Sequence, residues 1–85
     1  MYIGIIGDLS YDLYAIGQTK EECKANMGKA FERYLKAYDY ANLEEFCEDH
    51  RIDLEEYDGS MLTLLEEYYG MNIFDVTKGY ALGWE

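Results

Sequence analysis

The chain contains no proline, only two cysteines, and only seven basic residues against eighteen acidic ones. Each shortage excludes something. Without proline, an internal repeat or a low-complexity linker, the sequence gives no sign of a second domain. Cys23 and Cys47 stand far apart with no CxxC spacing, which argues against a disulfide framework and for a reducing compartment. No apolar stretch approaches the roughly 20 residues that a membrane-spanning helix needs. The apolar run from Tyr2 to Ile6 is too short, and lacks the basic lead, to be a signal peptide. A soluble cytoplasmic protein is the expectation. The scarcity of bases leaves a formal charge of −11, which repels nucleic acid and anionic membrane. It favours a basic partner instead, whose encounter it accelerates by electrostatic steering.

What remains is rich in core material. At 85 residues the chain predicts a single domain, 1-85, able to bury roughly 60 to 65% of its unfolded surface and to fold without staples. Hydrophobic residues make up 49%, with ten Tyr, three Phe and Trp84, a composition of packed cores rather than of disorder.

The pattern along the chain predicts strands at both ends and helices between. Tyr2 to Ile6 and Tyr11 to Ile16 are β-rich runs joined by a short Gly-Asp turn, an antiparallel hairpin with Tyr11, Leu13 and Ala15 on one face. Thr19 with Glu22 is a capping box that opens a first helix. Its apolar arc is Cys23, Met27, Ala30, Phe31, Tyr34 and Tyr38, with Lys29, Arg33 and Lys36 opposite. Gly28 inside that helix costs about 1 kcal/mol relative to Ala, and implies either a close backbone approach or a bend. Asn42 with Glu45 opens a second helix whose Leu43, Phe46 and Cys47 face inward. Asp53 with Glu56 is a third box. Helical spacing then continues through Leu54, Tyr57, Met61, Leu64, Leu65 and Tyr68 to a stop at Gly70, with Asp58-Gly59-Ser60 as an interruption. Ile73 to Thr77 and Tyr80 to Trp84 predict a closing hairpin around Lys78-Gly79. The fold class expected is α+β: a small antiparallel sheet of N-terminal and C-terminal hairpins, with two or three helices packed on one face.

Catalytic and metal signatures are weak. Cys47 and His50 lie one helical turn apart, the spacing of a nucleophile and its base, but no oxyanion-hole or Gly-rich turn accompanies them. Cys23, Cys47 and His50 lack the closely spaced pairs of a zinc site. Aligning Gly59 with the invariant glycine of an EF-hand loop puts Leu54 and Leu65 at the two critical carboxylate positions. Gly4 and Gly7 have the wrong spacing for a nucleotide loop. No enzyme, cofactor or resident metal is expected.

The charge distribution is the informative feature. From Asp39 to Glu67 there are eleven carboxylates against the single base Arg51, so this stretch carries −10 of the net −11. A solvated surface kept for solubility is the bland explanation. Two features speak for more. Such a surface would intersperse lysines, and the like charges at Glu44/Glu48 and Glu45/Asp49 destabilise a helix by a few tenths of a kcal/mol per pair, roughly. Carboxylates one helical turn apart are about 5 to 6 Å from each other, comparable to phosphates along a nucleic-acid strand. The expected partner-binding residues are therefore Glu44, Glu45, Glu48, Asp49, Asp53, Glu55, Glu56, Asp58, Glu66 and Glu67. Tyr57 and Tyr69, with Tyr68 or Tyr40, would serve as aromatic anchors where bases stack. The partner expected is a basic protein surface, a nucleic-acid-binding cleft, with no direct binding of nucleic acid or membrane.

In physical type, small and extremely acidic with a one-sided carboxylate display, the chain resembles the phage-encoded anti-CRISPR proteins that mimic DNA. That resemblance implies a phage (viral) protein acting in the host cell cytoplasm as an inhibitor, through protein–protein interaction, of a CRISPR-Cas or other defence nuclease. A second likeness is local. Tyr14-Ala15-Ile16-Gly17-Gln18-Thr19-Lys20-Glu21-Glu22-Cys23, followed by Ala30 and Tyr34-Leu35, is similar to the strand-to-helix step of HicB-like antitoxins. It implies an antitoxin or small regulatory module that binds its partner through the sheet edge and tyrosines.

Overall fold

A computed structural model describes residues 1–7 and 9–78. Among them three strands form one antiparallel sheet: β1 (Tyr2–Ile6), β2 (Leu13–Gly17) and β3 (Asn72–Asp75), in the order β2-β1-β3. The N-terminal run is thus the central strand, with Gly4 opposite both Ala15 and Ile73. One face of the sheet, with Gly4, Ile6, Leu13, Ala15 and Gly17, is buried. Tyr14 and Ile16 point the other way and are half exposed. This is the alternation expected of a strand covered on one side only.

The helix α1 (Lys20–Ala37) covers the buried face. Thr19, held extended, accepts the Glu22 N–H at 3.1 Å, and the Glu22 carboxylate accepts the Gln18 N–H at 2.5 Å, so two otherwise orphaned donors are satisfied. Cys23, Met27, Ala30, Phe31 and Tyr34 of the predicted arc are buried. Tyr38 is not: it is the cap residue past the last turn, 44% exposed, and stacks with Tyr11 and Tyr34 at the surface. Of the two alternatives expected at Gly28, a close backbone approach or a bend, the close approach is not found there and occurs at Gly17 instead. A Cβ at Gly28 would meet nothing nearer than the Met61 sulfur at 3.8 Å, whereas one at Gly17 would lie 2.3 Å from the Cys23 backbone nitrogen.

Two further helix ends are made without glycine. After α1, Asp39 takes a left-handed conformation (φ 63°) and the Tyr40 N–H returns to the Leu35 carbonyl at 2.9 Å. After α2 (Leu43–Asp49), Arg51 does the same (φ 58°), with the Ile52 N–H on the Cys47 carbonyl at 2.8 Å. Both are Schellman-type stops, which usually fall on Gly because a Cβ is crowded there. Asn42 caps α2 by accepting the Glu45 N–H at 2.8 Å, while the Glu45 carboxylate accepts the Ala41 N–H at 3.1 Å.

The interruption at Asp58-Gly59-Ser60 is a real break. A single 3₁₀ turn (Leu54–Tyr57) ends where Asp58 and Gly59 both turn left-handed, at φ 57° and 65°. Ser60 then caps a new helix, α3 (Met61–Thr63), which runs directly into a π-helical turn, Leu64–Tyr68. In a π turn the residue stacked under Leu64 is five positions on, not four. Tyr69 donates its N–H to the Leu64 carbonyl at 3.3 Å and is 7% exposed, while Tyr68 is pushed out to 48%. Gly70, at φ 63°, ends the segment as expected.

The core lies between α1, the sheet and the later helices. Phe31 is at its centre, edge-on to Phe46 at 5.3 Å and within 6.2 Å of Tyr69. The C-terminal strand stops at Asp75 rather than Thr77, because the Asp75 carboxylate accepts both the N–H and the hydroxyl of Thr77 and folds Val76–Lys78 into a 3₁₀ turn. The second strand expected at Tyr80 to Trp84 lies outside the described residues. The observed class is α+β, a three-stranded antiparallel sheet with helices on one face.

Candidate functional site

All ten carboxylates expected to contact a partner are exposed. The folding of the chain distributes them into distinct groups. Arg51 reverses the chain after α2, and Ile52 folds back into the core at 9% exposure. Asp53 to Glu55 are thereby laid beside α2. Glu44 and Glu48 on one wall and Asp53 and Glu55 on the other rim a groove of about 230 Å³, floored by Cys47, Ile52 and Leu54. The second wall is bounded by two non-glycine residues in left-handed geometry, Arg51 and Asp58, a conformation that side chains adopt at some cost. Asp53 is itself held, its carboxylate accepting the Glu55 N–H at 3.1 Å.

A second group surrounds two tyrosines. Tyr57 and Tyr68 pack edge to face with centroids 6.0 Å apart, and Glu56 and Glu67 lie close enough to act on Tyr57 electrostatically. Burial first, then these carboxylates, raise the Tyr57 phenol above its ordinary range. This pair presents an aromatic surface bordered by acids. Tyr69, proposed as an anchor from sequence, is a core residue. A period of 3.6 assigned Tyr68 and Tyr69 the wrong sides of the last turn, and the π geometry that exchanges them leaves no local sequence signature.

The remaining acids are occupied differently. The Asp49 carboxylate accepts the Tyr40 hydroxyl at 2.6 Å, and that hydrogen bond, with smaller contributions from burial and nearby charge, pushes the Tyr40 phenol up to about 12. The Tyr40 ring is at the same time edge-on to Phe46, so this tyrosine is a structural strut. Glu66 reaches back to α1 and pairs with Lys24 at 3.2 Å. Among the described residues it is the one partner-face carboxylate joined to a lysine or arginine; Arg51, the single base of the stretch, is exposed and pairs with none.

Cys47 and His50 do not meet. The His50 ring stacks on Phe46 at 4.1 Å, with Nδ1 2.9 Å from the Phe46 carbonyl oxygen. The Cys47 thiol is buried, and burial and then the charge of Glu44 hold it above its usual range, away from the thiolate a nucleophile requires. No three His, Cys, Asp or Glu side chains among the described residues gather closely enough to hold a metal ion. No helix among them is long and apolar enough to cross a membrane. What the arrangement offers chemically is a shallow anionic groove and an acid-bordered aromatic pair, both able to receive lysine and arginine side chains. Compared with protein-family models, curated proteins and solved structures, the chain matches none.

Proposed function

We propose that the protein is a non-enzymatic inhibitor that acts as an acidic nucleic-acid mimic, occupying the basic DNA- or RNA-binding cleft of a defence nuclease. Within that class we place it as a phage-encoded anti-CRISPR that blocks a CRISPR-Cas nuclease in the host cytoplasm. The observation that carries the reading is exposure without compensation: ten carboxylates from Glu44 to Glu67 face solvent, and among the described residues only Glu66 is neutralised by a lysine. A surface kept for solubility would pair or intersperse its charges, since doing so costs little. Here the acids rim a groove, and Tyr57 and Tyr68 stand beside Glu56 and Glu67 where a cleft offers its base-stacking positions.

The working residues are then Glu44, Glu48, Asp53 and Glu55, with Glu56, Glu67, Tyr57 and Tyr68 as the second contact. The test is a competition assay between the protein and DNA for CRISPR nucleases, run across a salt series, alongside a variant with Glu44, Glu48, Asp53 and Glu55 all changed to lysine. Displacement of DNA that weakens steeply with salt and vanishes in the variant is expected, with unchanged circular dichroism. Affinity that is equal at low and high salt, or a folded variant that competes as well as the parent, would refute the mimic.

A further inference from the structure

The β2 edge of the sheet carries a second surface that the acidic groove does not explain. Among the described residues β2 pairs with β1 alone, and none of them forms a partner strand along its other side. Natural sheets blunt such an edge with a lysine, a proline or a bulge. The sequence of β2, Leu-Tyr-Ala-Ile-Gly, has none of these, and Tyr14 and Ile16 are each 53% exposed beside it. A depression of about 410 Å³ lies at this edge, lined by Tyr14, Ala15 and Ile16 with Ile3 of β1 on the strand side and by Asn26, Lys29 and Arg33 of α1 on the other.

Lys29 and Arg33 are what distinguish the depression from a merely uncovered strand. The chain has only seven bases among eighteen acids, yet these two are exposed, one helical turn apart, and neither has a carboxylate within 4.0 Å among the described residues. Four residues of helix rise about 6 Å. Two residues of strand rise about 6.6 to 6.8 Å. An extended segment lying along β2 would therefore set alternate side chains opposite Lys29 and Arg33, and the intervening ones on the face shared by Tyr14 and Ile16. The Asn26 amide, which now donates to the Ile16 carbonyl at 2.7 Å, holds one place that an incoming backbone N–H would take.

We infer that this groove binds an extended acidic peptide segment as an added strand on β2, with carboxylates at alternate positions paired to Lys29 and Arg33 and apolar side chains on Tyr14 and Ile16. A second copy of this chain fits less well, because its own β2 would offer Leu13, Ala15 and Gly17 to the two cations. Nucleic acid has no backbone N–H and C=O to complete the edge. None of the carboxylates of the acidic groove takes part.

Fluorescence anisotropy of a labelled peptide of alternating valine and glutamate, titrated with the full chain, tests this. Saturable binding is expected, weakened at least about tenfold both by the double variant Lys29→Glu and Arg33→Glu and by N-methylation of alternate peptide amides. The N-methylated peptide leaves the protein untouched, so its result is independent of any folding defect, and circular dichroism checks the variant. Equal binding of the N-methylated peptide, equal binding of an oligothymidylate, or no saturable binding would overturn the proposal. A concentration-dependent dimer in sedimentation that Ile16→Lys dissolves would also overturn it, by assigning the edge to a second copy.

Discussion

Replacing Gly17 and, separately, Gly28 with alanine sets one chemical change in two environments. At Gly17 the added Cβ would lie 2.3 Å from the backbone nitrogen of Cys23 and 2.8 Å from its Cα. These atoms belong to the first turn of α1 and cannot swing aside as a side-chain tip would. The helix start has to move off the sheet, drawing Cys23 and Met27 away from Gly4, above which their side chains leave no room for a Cβ without a shift. Overpacking of this kind costs about 1 to 3 kcal/mol, and a clash with backbone belongs at the upper end. For a domain of this size each kcal/mol is worth about 4 to 8 °C, so a fall in Tm of about 12 to 24 °C is expected. At Gly28 the new methyl meets only the Met61 sulfur at 3.8 Å, an ordinary contact, inside a helix where alanine is favoured over glycine. There a gain of about 1 kcal/mol and a rise of about 4 to 8 °C are expected. Thermal melts followed by far-ultraviolet circular dichroism, with urea titrations for the free energies, decide the matter. A Gly17→Ala protein melting within about 4 °C of the parent, or a Gly28→Ala protein melting below it, would refute the packing described between α1 and β2.

Spectrophotometric titration of the tyrosines should show the Tyr40 phenol ionising at about 12, and Asp49→Asn should lower it toward the ordinary 10.0. Because the folded value lies above the ordinary 10.0, its contribution to stability is complete below about pH 10 and disappears as pH rises toward 12; unfolding that sets in below that window in the parent and is unmoved in Tyr40→Phe would contradict the assignment. Cys23 and Cys47 are buried with thiols held above their usual range, so disulfide reagents should modify them only at the rate of unfolding, and prompt modification in the native protein would place them elsewhere. Truncation of Phe46 to alanine removes the ring against which Phe31, Tyr40 and His50 pack, and should cost about 3 to 5 kcal/mol in urea unfolding, a large share of the stability of an 85-residue domain.

The local devices of this protein are written in adjacent residues, and so could be recognised in the sequence. Thr19 with Glu22 and Asn42 with Glu45 form the caps their spacing implies, and the alternation expected from Tyr11 to Ile16 separates a buried from an exposed face from Leu13 onward, though Tyr11 itself lies outside the strand and is exposed. The exposed acids of Glu44 to Glu67 were equally legible, since ionised side chains stay in water wherever the chain runs. Three features were decided by tertiary packing. Which strand is central depends on a pairing between the two ends of the chain. The exchange of Tyr68 for Tyr69 depends on a π turn that fits Leu64 and Tyr69 against Phe31 and Phe46. The division of the carboxylates into a groove, an aromatic border and a tie to Lys24 depends on where Arg51 and Asp58 turn the chain. Contacts across tens of residues select among conformations that the local sequence leaves close in energy, and so the grouping of the charges belongs to the fold while their abundance belongs to the sequence.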